Sequence, residues 1–193
     1  MPNYPTMKRW MAFIDGEHFT IRAQDLIKER SFILNPAEKP RFWRENTFIW
    51  LPGHHGTQRI VSSRHQLEYS ANRAYYYTSL VGDDQAMQQV QSQLWDLGFT
   101  PRVFKRIKGR EKSKGVDVTL SKDMLAHAFQ DHYDVAVLFA GDGDYVPLVE
   151  EVKHAGKRVV LAFFSENEGL SPALKISADE YFNITEMFFA QWK

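Results

Sequence analysis

Asp142 and Asp144 sit in the stretch Gly141-Asp-Gly-Asp144, directly after the apolar run Val135 to Ala140. Asp15 likewise follows an apolar run, Trp10 to Ile14. Asp117 closes Lys114-Gly-Val-Asp117, at the start of a segment with helical apolar spacing. Carboxylates gathered in one place repel each other, and ionising all of them without a counter-ion is costly. An oxygen-only set of this kind, completed by water, suits Mg²⁺ or Mn²⁺. Such ions activate water and stabilise charge in phosphodiester cleavage. Each aspartate alone has an ordinary explanation as a turn former, a cap or a surface charge. The ordered set is what points to chemistry.

The Gly-Asp-Gly-Asp turn is a poor dinucleotide loop. Val146 stands where G-x-G-x-x-G needs its third glycine, and two aspartates face the position a pyrophosphate would approach. A cation is the better occupant. Its counterpart is a basic run. Arg102, Lys105, Arg106, Lys108, Arg110, Lys112 and Lys114 face a single acid, Glu111. Charge runs are commonly solvated loops, but this one leads straight into Asp117. A positive rim beside a negative centre is what a metal-dependent enzyme on a phosphate backbone needs.

These residues need elements to hold them. Val135 to Ala140, short, apolar and rich in β-branched residues, reads as a strand buried on both faces of a parallel sheet. Asp142 and Asp144 then lie past the carboxyl end of a strand, where open α/β sheets place ligand sites. The two glycines permit a sharp turn with unusual backbone angles. Pro147 suits the first turn of a helix that carries Leu148, Val149 and Val152 and ends at Gly156.

Elsewhere, Trp10 to Ile14, Arg73 to Leu80, Thr100 to Ile107 and Arg158 to Phe164 read as strands. Pro101 suggests an edge position for the third of these. Phe19 to Arg30, Gln85 to Leu97 and Lys114 to Phe129 read as helices, the second capped by Asp83 or Asp84. Ala173 onward gives a closing helix and an extended piece. On the Lys114 helix, six steps of roughly 100° place Asp123 about 240° from Asp117, so the two do not share a face. Asp117 can point at a site near the helix N-terminus, while Asp123 caps or pairs elsewhere.

Strands alternating with helices make the class α/β with a mainly parallel sheet. The 193 residues suffice for one domain, 1-193, with an irregular insertion around 31-71. That insertion interleaves Arg41, Arg44, Arg59 and Arg64 with Phe42, Trp43, Phe48 and Trp50. Such a mixture suits single-stranded nucleic acid, or else a satellite apolar cluster with a solvated rim. Within it Phe48 to Leu51 reads as a strand and Val61 to Ala71 as a short helix.

Acidic and basic residues balance at 24 each, so net charge names no partner. The absence of cysteine excludes disulfides, thiol catalysis and cysteine-based zinc sites. No apolar run reaches membrane-spanning length and no secretory leader precedes the first strand, so the expectation is a soluble cytoplasmic protein without a membrane partner. Exposed aromatics and the C-terminal tail are compatible with a homodimer.

Phe13-Ile-Asp-Gly-Glu17, Lys114-Gly-Val-Asp117, Ala140-Gly-Asp-Gly-Asp-Tyr-Val-Pro-Leu148, Gly156-Lys-Arg-Val159 and Ala178-Asp-Glu-Tyr-Phe182 together resemble the NYN domain. This is the PIN-like nuclease branch that includes LabA-type proteins. The resemblance spans Phe13 to Phe182. It implies a PIN-like three-layer α/β/α sandwich and a divalent-metal-dependent ribonuclease site on Asp15, Asp117, Asp142 and Asp144. His18 stands where the family usually has asparagine, and Ala140 where it usually has serine. His18 can hydrogen-bond a phosphate or water, whereas Ala140 cannot.

The expected activity is hydrolysis of RNA by a Mg²⁺ or Mn²⁺ on Asp15, Asp117 and Asp142. Asp144 completes the surroundings or binds a second ion. Lys105, Arg106, Lys108, Arg110, Lys112, Lys114 and His18 contact the RNA. The alternative is an RNA-binding or regulatory protein with a weakened or inactive site, which His18 and Ala140 favour. A small-substrate phosphatase fits worse, because no Asp-x-Asp-x-Thr follows the first strand.

Overall fold

The computed structural model describes residues 8–30, 71–106 and 114–186. Six strands form one sheet: β1 (Trp10–Asp15), β2 (Arg73–Leu80), β3 (Thr100–Lys105), β4 (Val135–Phe139), β5 (Arg158–Phe163) and β6 (Glu180–Asn183). Their order is β3-β2-β1-β4-β5-β6, and every neighbouring pair is parallel. The helices are α1 (Gly16–Glu29), α2 (Asp84–Asp96), α3 (Lys114–Phe129), α4 (Val146–His154) and α5 (Pro172–Ser177).

The chain builds β1, β2 and β3 in one direction and then returns across the sheet to β4, β5 and β6. Right-handed crossovers therefore put α1 and α2 on one face and the later helices on the other. In keeping with this, α3 packs on β1 to β3 and against α4, while α4 packs on β5 and against α5. The result is the α/β/α sandwich that the sequence led us to expect.

β1 and β4 are buried along their whole length, which is why both read as uninterrupted apolar runs. Trp10, Phe13, Phe19, Tyr75, Tyr76, Tyr77 and Phe163 fill the core between sheet and helices. β3 lies at the sheet edge, as Pro101 indicated. The extended piece after α5 is the opposite edge strand, β6.

Two local expectations change. α1 begins at Gly16 rather than Phe19, because the Asp15 side chain accepts the His18 N–H at 3.0 Å and caps the helix three residues early. Gly141 and Gly143 do not adopt positive φ. Gly141 is needed for space: a Cβ there would lie 2.2 Å from a Phe163 ring carbon and 2.8 Å from the Gly169 carbonyl oxygen. The insertion's strand and helix, 48–51 and 61–71, lie almost wholly outside the described residues. No described helix is long and apolar enough to cross a membrane.

Candidate active site

In an open parallel sheet, loops leaving adjacent strands diverge where the strand order reverses, and a crevice opens at the carboxyl ends there. Here the reversal lies between β1 and β4. Asp15 is the last residue of β1, and Asp142 follows β4 by two residues beyond Ala140. Asp117 reaches the same edge in the first turn of α3, which starts after β3. The sheet topology thus places three sequence-distant carboxylates at the same edge, and Tyr145 joins two of them, Asp15 and Asp117.

Asp15 is the buried member, only 3% exposed. Its Oδ1 is occupied by the His18 N–H, and its Oδ2 accepts from the Tyr145 hydroxyl at 2.9 Å. The same hydroxyl lies 3.0 Å from Asp117 Oδ1. Tyr145 therefore ties the carboxylate of β1 to that of α3. Burial pushes the Asp15 carboxyl up to about 7, and the nearby Asp117 and Glu17 carboxylates add to the rise. The His18 N–H and the Tyr145 hydroxyl partly oppose it. Burial and both carboxylates hold the Tyr145 phenol well above its usual range, so it remains a proton donor. A phenol carries one hydrogen. That hydrogen lies within reach of both carboxylates and is shared between them.

Asp142 is half-buried and its Oδ1 accepts the Asp144 N–H at 3.1 Å, which starts the 3₁₀ turn Gly143–Tyr145. That turn does two things. It leaves Asp144 exposed, and it swings the Tyr145 ring into the core beneath the crevice. Pro147 then begins α4 within its first turn. The loop before α5 buttresses the turn from behind, as the Ser171 N–H donates to the Gly141 carbonyl at 2.8 Å.

Among the described residues, no three acidic or histidine side chains converge closely enough to enclose a metal ion by themselves. The donor chemistry nevertheless fits a hard divalent cation. A buried carboxyl raised to about 7 beside a second carboxylate is a pair that a cation would relieve. Mg²⁺ commonly takes only one or two carboxylates and fills its remaining positions with water and phosphate oxygens.

The basic rim is partly accounted for. Lys105 ends β3 at the carboxyl edge, two strands from β1 and hence about 10 Å across the sheet. It lies 3.6 Å from Asp84 and is largely exposed. Arg106 follows it and is half-buried. Lys114 opens α3, while Lys108, Arg110 and Lys112 lie outside the described residues. Arg102 does not belong to the rim: its Nε donates to Asp123 at 2.9 Å, and its guanidinium stacks over the Tyr75 ring. Asp123, expected to pair elsewhere, has found that partner. His18 is half-buried with its ring 5.1 Å from that of Phe163. Ala140 is fully buried and brings no hydroxyl to the crevice.

Sequence reasoning gave no role to Tyr145 or to Glu17. Glu17 is buried beside Asp15 and accepts the Ser79 hydroxyl at 2.6 Å. No residue pattern announces these contacts, because they join β1, α1, β2, α3 and the turn after β4.

A model of the NYN domain, a PIN-like, nuclease-like family, matches residues 9–185. The "Low amplitude and bright protein LabA" of Synechococcus elongatus is 28% identical over 139 residues, covering 64% of this chain and 72% of LabA. A crystal structure of a protein of unknown function from Vibrio parahaemolyticus, VPA0982, superimposes with a TM-score of 0.59. That match covers 94% of this chain and 96% of the other at 19% identity, and it speaks to the fold alone. With most of its length matched by the family model, the chain belongs to the NYN domain family.

Proposed function

We propose that this protein is a divalent-metal-dependent ribonuclease that hydrolyses single-stranded RNA at the crevice between β1 and β4. The observation that carries the reading is the buried Asp15 carboxyl, joined to Asp117 through the Tyr145 hydroxyl at the sheet's switch point. Asp15, Asp117 and Asp142 are the residues that would hold Mg²⁺ or Mn²⁺, with Asp144 at the exposed lip. When bound, such an ion supplies charge neutralisation and Lewis acidity at a phosphodiester. Tyr145 fixes the spacing of the two carboxylates. Lys105 and Arg106, continuing into Lys108, Arg110, Lys112 and Lys114, contact the RNA backbone, so binding weakens as salt rises. His18 stands at the mouth of α1 as a further phosphate contact.

A second reading, an RNA-binding regulator with a weakened site, draws on Ala140, which is buried and has no hydroxyl to offer a ligand. One assay separates the two. Labelled single-stranded RNA is incubated with wild type or Asp142→Asn in Mn²⁺, Mg²⁺ or EDTA. The nuclease reading expects metal-dependent cutting in wild type and its loss in the variant. Salt-sensitive binding without cutting in every condition would leave the regulatory reading.

A further inference from the structure

At the opposite end of the sheet, where the strands begin, the structure has a second concave site. A cavity of about 300 Å³ is lined by Arg9, Met11, Asn72, Arg73, His127 and His132. Arg9 directly precedes β1 and Met11 is in it, Asn72 directly precedes β2 and Arg73 opens it, and the histidines lie in the last turn of α3 and the turn after it. Asp117 and His127 lie ten residues apart on one helix, about 15 Å along its axis. The two sites therefore share α3 but sit at its opposite ends.

The lining is rich in donors, and they are linked. The Arg73 Nη1 donates to the Tyr75 hydroxyl oxygen at 3.3 Å. Tyr75 lies 2.8 Å from His127 Nε2, and His127 Nδ1 lies 2.8 Å from His132 Nδ1. Arginine can only donate. The direction that gives every hydrogen of this chain an acceptor therefore runs from Arg73 to Tyr75, to His127, to His132. It leaves the outer nitrogen of His132 carrying a hydrogen to donate. Burial, His132 and Arg73 together hold the His127 imidazole below its usual range, which keeps it neutral and able to relay in this way.

The nearby charges are unequally spent. Arg9 donates to Asp134 and Asp131, and Lys157 also pairs with Asp131. Those two carboxylates are thus already neutralised by cations. Arg73 forms no ion pair among the described residues, and its guanidinium is the uncompensated charge of the cavity.

We propose that this cavity binds a phosphate monoester of up to nucleotide size, held by the Arg73 guanidinium and the His132 imidazole. A guanidinium presents paired N–H donors that match phosphate oxygens. Its partner here is an imidazole approaching from a different element, so the donors are not confined to one plane. That favours a tetrahedral phosphate over a planar carboxylate. The volume stands at the lower end of ligand cavities, roughly 300–1,000 Å³, and exceeds what a bare phosphate fills. The site stands apart from the ribonuclease reading and does not depend on it.

The test is histidine ring NMR of the full chain in EDTA, so that no metal acts at the other edge. Inorganic phosphate, UMP and acetate are titrated in turn. The expected result is saturable movement of the His127 and His132 resonances with phosphate and more tightly with UMP, with acetate at least about tenfold weaker. The resonances are identified with His132→Asn. Arg73→Gln is expected to weaken both phosphate ligands about tenfold, and Arg73→Lys to restore part of the loss. Since the Arg73 side chain is exposed, its removal leaves the fold intact, and an unchanged amide spectrum checks this. Equal responses to acetate and phosphate, unchanged affinity in Arg73→Gln, or movement confined to other histidines would each overturn the assignment.

Discussion

Asp15 and Asp134 sit at opposite ends of neighbouring parallel strands, and their surroundings treat the same side chain in opposite ways. Asp134, just before β4, receives the Arg9 backbone N–H at 2.8 Å and two contacts from its guanidinium. Hydrogen bonding to Arg9 lowers its pKa. Asp15, ending β1, is buried, and neither it nor Asp117 forms an ion pair among the described residues. Its pKa is raised to about 7. One edge of the sheet pairs its acids internally. At the other, Asp15 and Asp117 stand together around one hydroxyl, and this is the arrangement a bound cation would complete.

The largest expected effect comes from Asp15→Asn. Asparagine retains the cap on α1 but not the charge. Metal-dependent RNA cleavage is expected to fall by roughly a hundredfold or more, about 3 kcal/mol of transition-state stabilisation. The metal-free variant is expected to be more stable than wild type at pH 8, by up to about 4 kcal/mol by linkage. Urea melts in EDTA measure this, and a less stable variant would break the contrast between the two edges.

The next effect is the pH dependence itself. Asp15 has a folded pKa above its unfolded value. Its neutral form therefore contributes stability that is complete below about pH 4 and gone once the pH has risen through about 7. Mg²⁺ or Mn²⁺ favours the ionised form. Added metal should therefore raise the melting temperature clearly at pH 8 and little at pH 5. Equal shifts at both values would place the ion elsewhere.

Asp134→Asn probes the paired edge and should act with the opposite sign. A depressed carboxylate contributes stability above its unfolded pKa, and that stability is lost as pH falls through the folded value. The variant is expected to lose about 1 kcal/mol at pH 7, with the difference from wild type closing in acid. It should leave the metal response unchanged.

Tyr145→Phe gives the smallest and most local change. The hydroxyl helps keep Asp15 ionisable, so its removal raises that carboxyl further. The midpoint of Mn²⁺ binding against pH, followed by EPR of the free ion, should move upward by less than about one unit, or about 1 kcal/mol. A downward shift would show that the hydroxyl competes with the metal more than it supports the site.

Much of this was legible in the residues. The short apolar runs at β1 and β4, rich in β-branched and aromatic residues, read as strands buried on both faces, as interior parallel strands are. The alternation of strands and helices gave the class, and Pro101 marked an edge. Asp15, Asp117, Asp142 and Asp144 were visible as carboxylates following strands or opening a helix. Less legible was why glycine stands at 141, because the answer is a Phe163 ring from another strand rather than a backbone angle.

The primary sequence determined where each element lies and which end of it carries an acid, because burial periodicity, caps and turns are local. Only the tertiary structure decided that β1 and β4 are neighbours, that Tyr145 turns inward to join Asp15 to Asp117, and that Arg102 is consumed by Asp123. It also decided that His127 and His132 meet Arg73 at the far edge. Each of these contacts joins residues far apart along the chain. Their charge and hydrogen-bonding consequences depend on distance and burial, which local pattern does not encode.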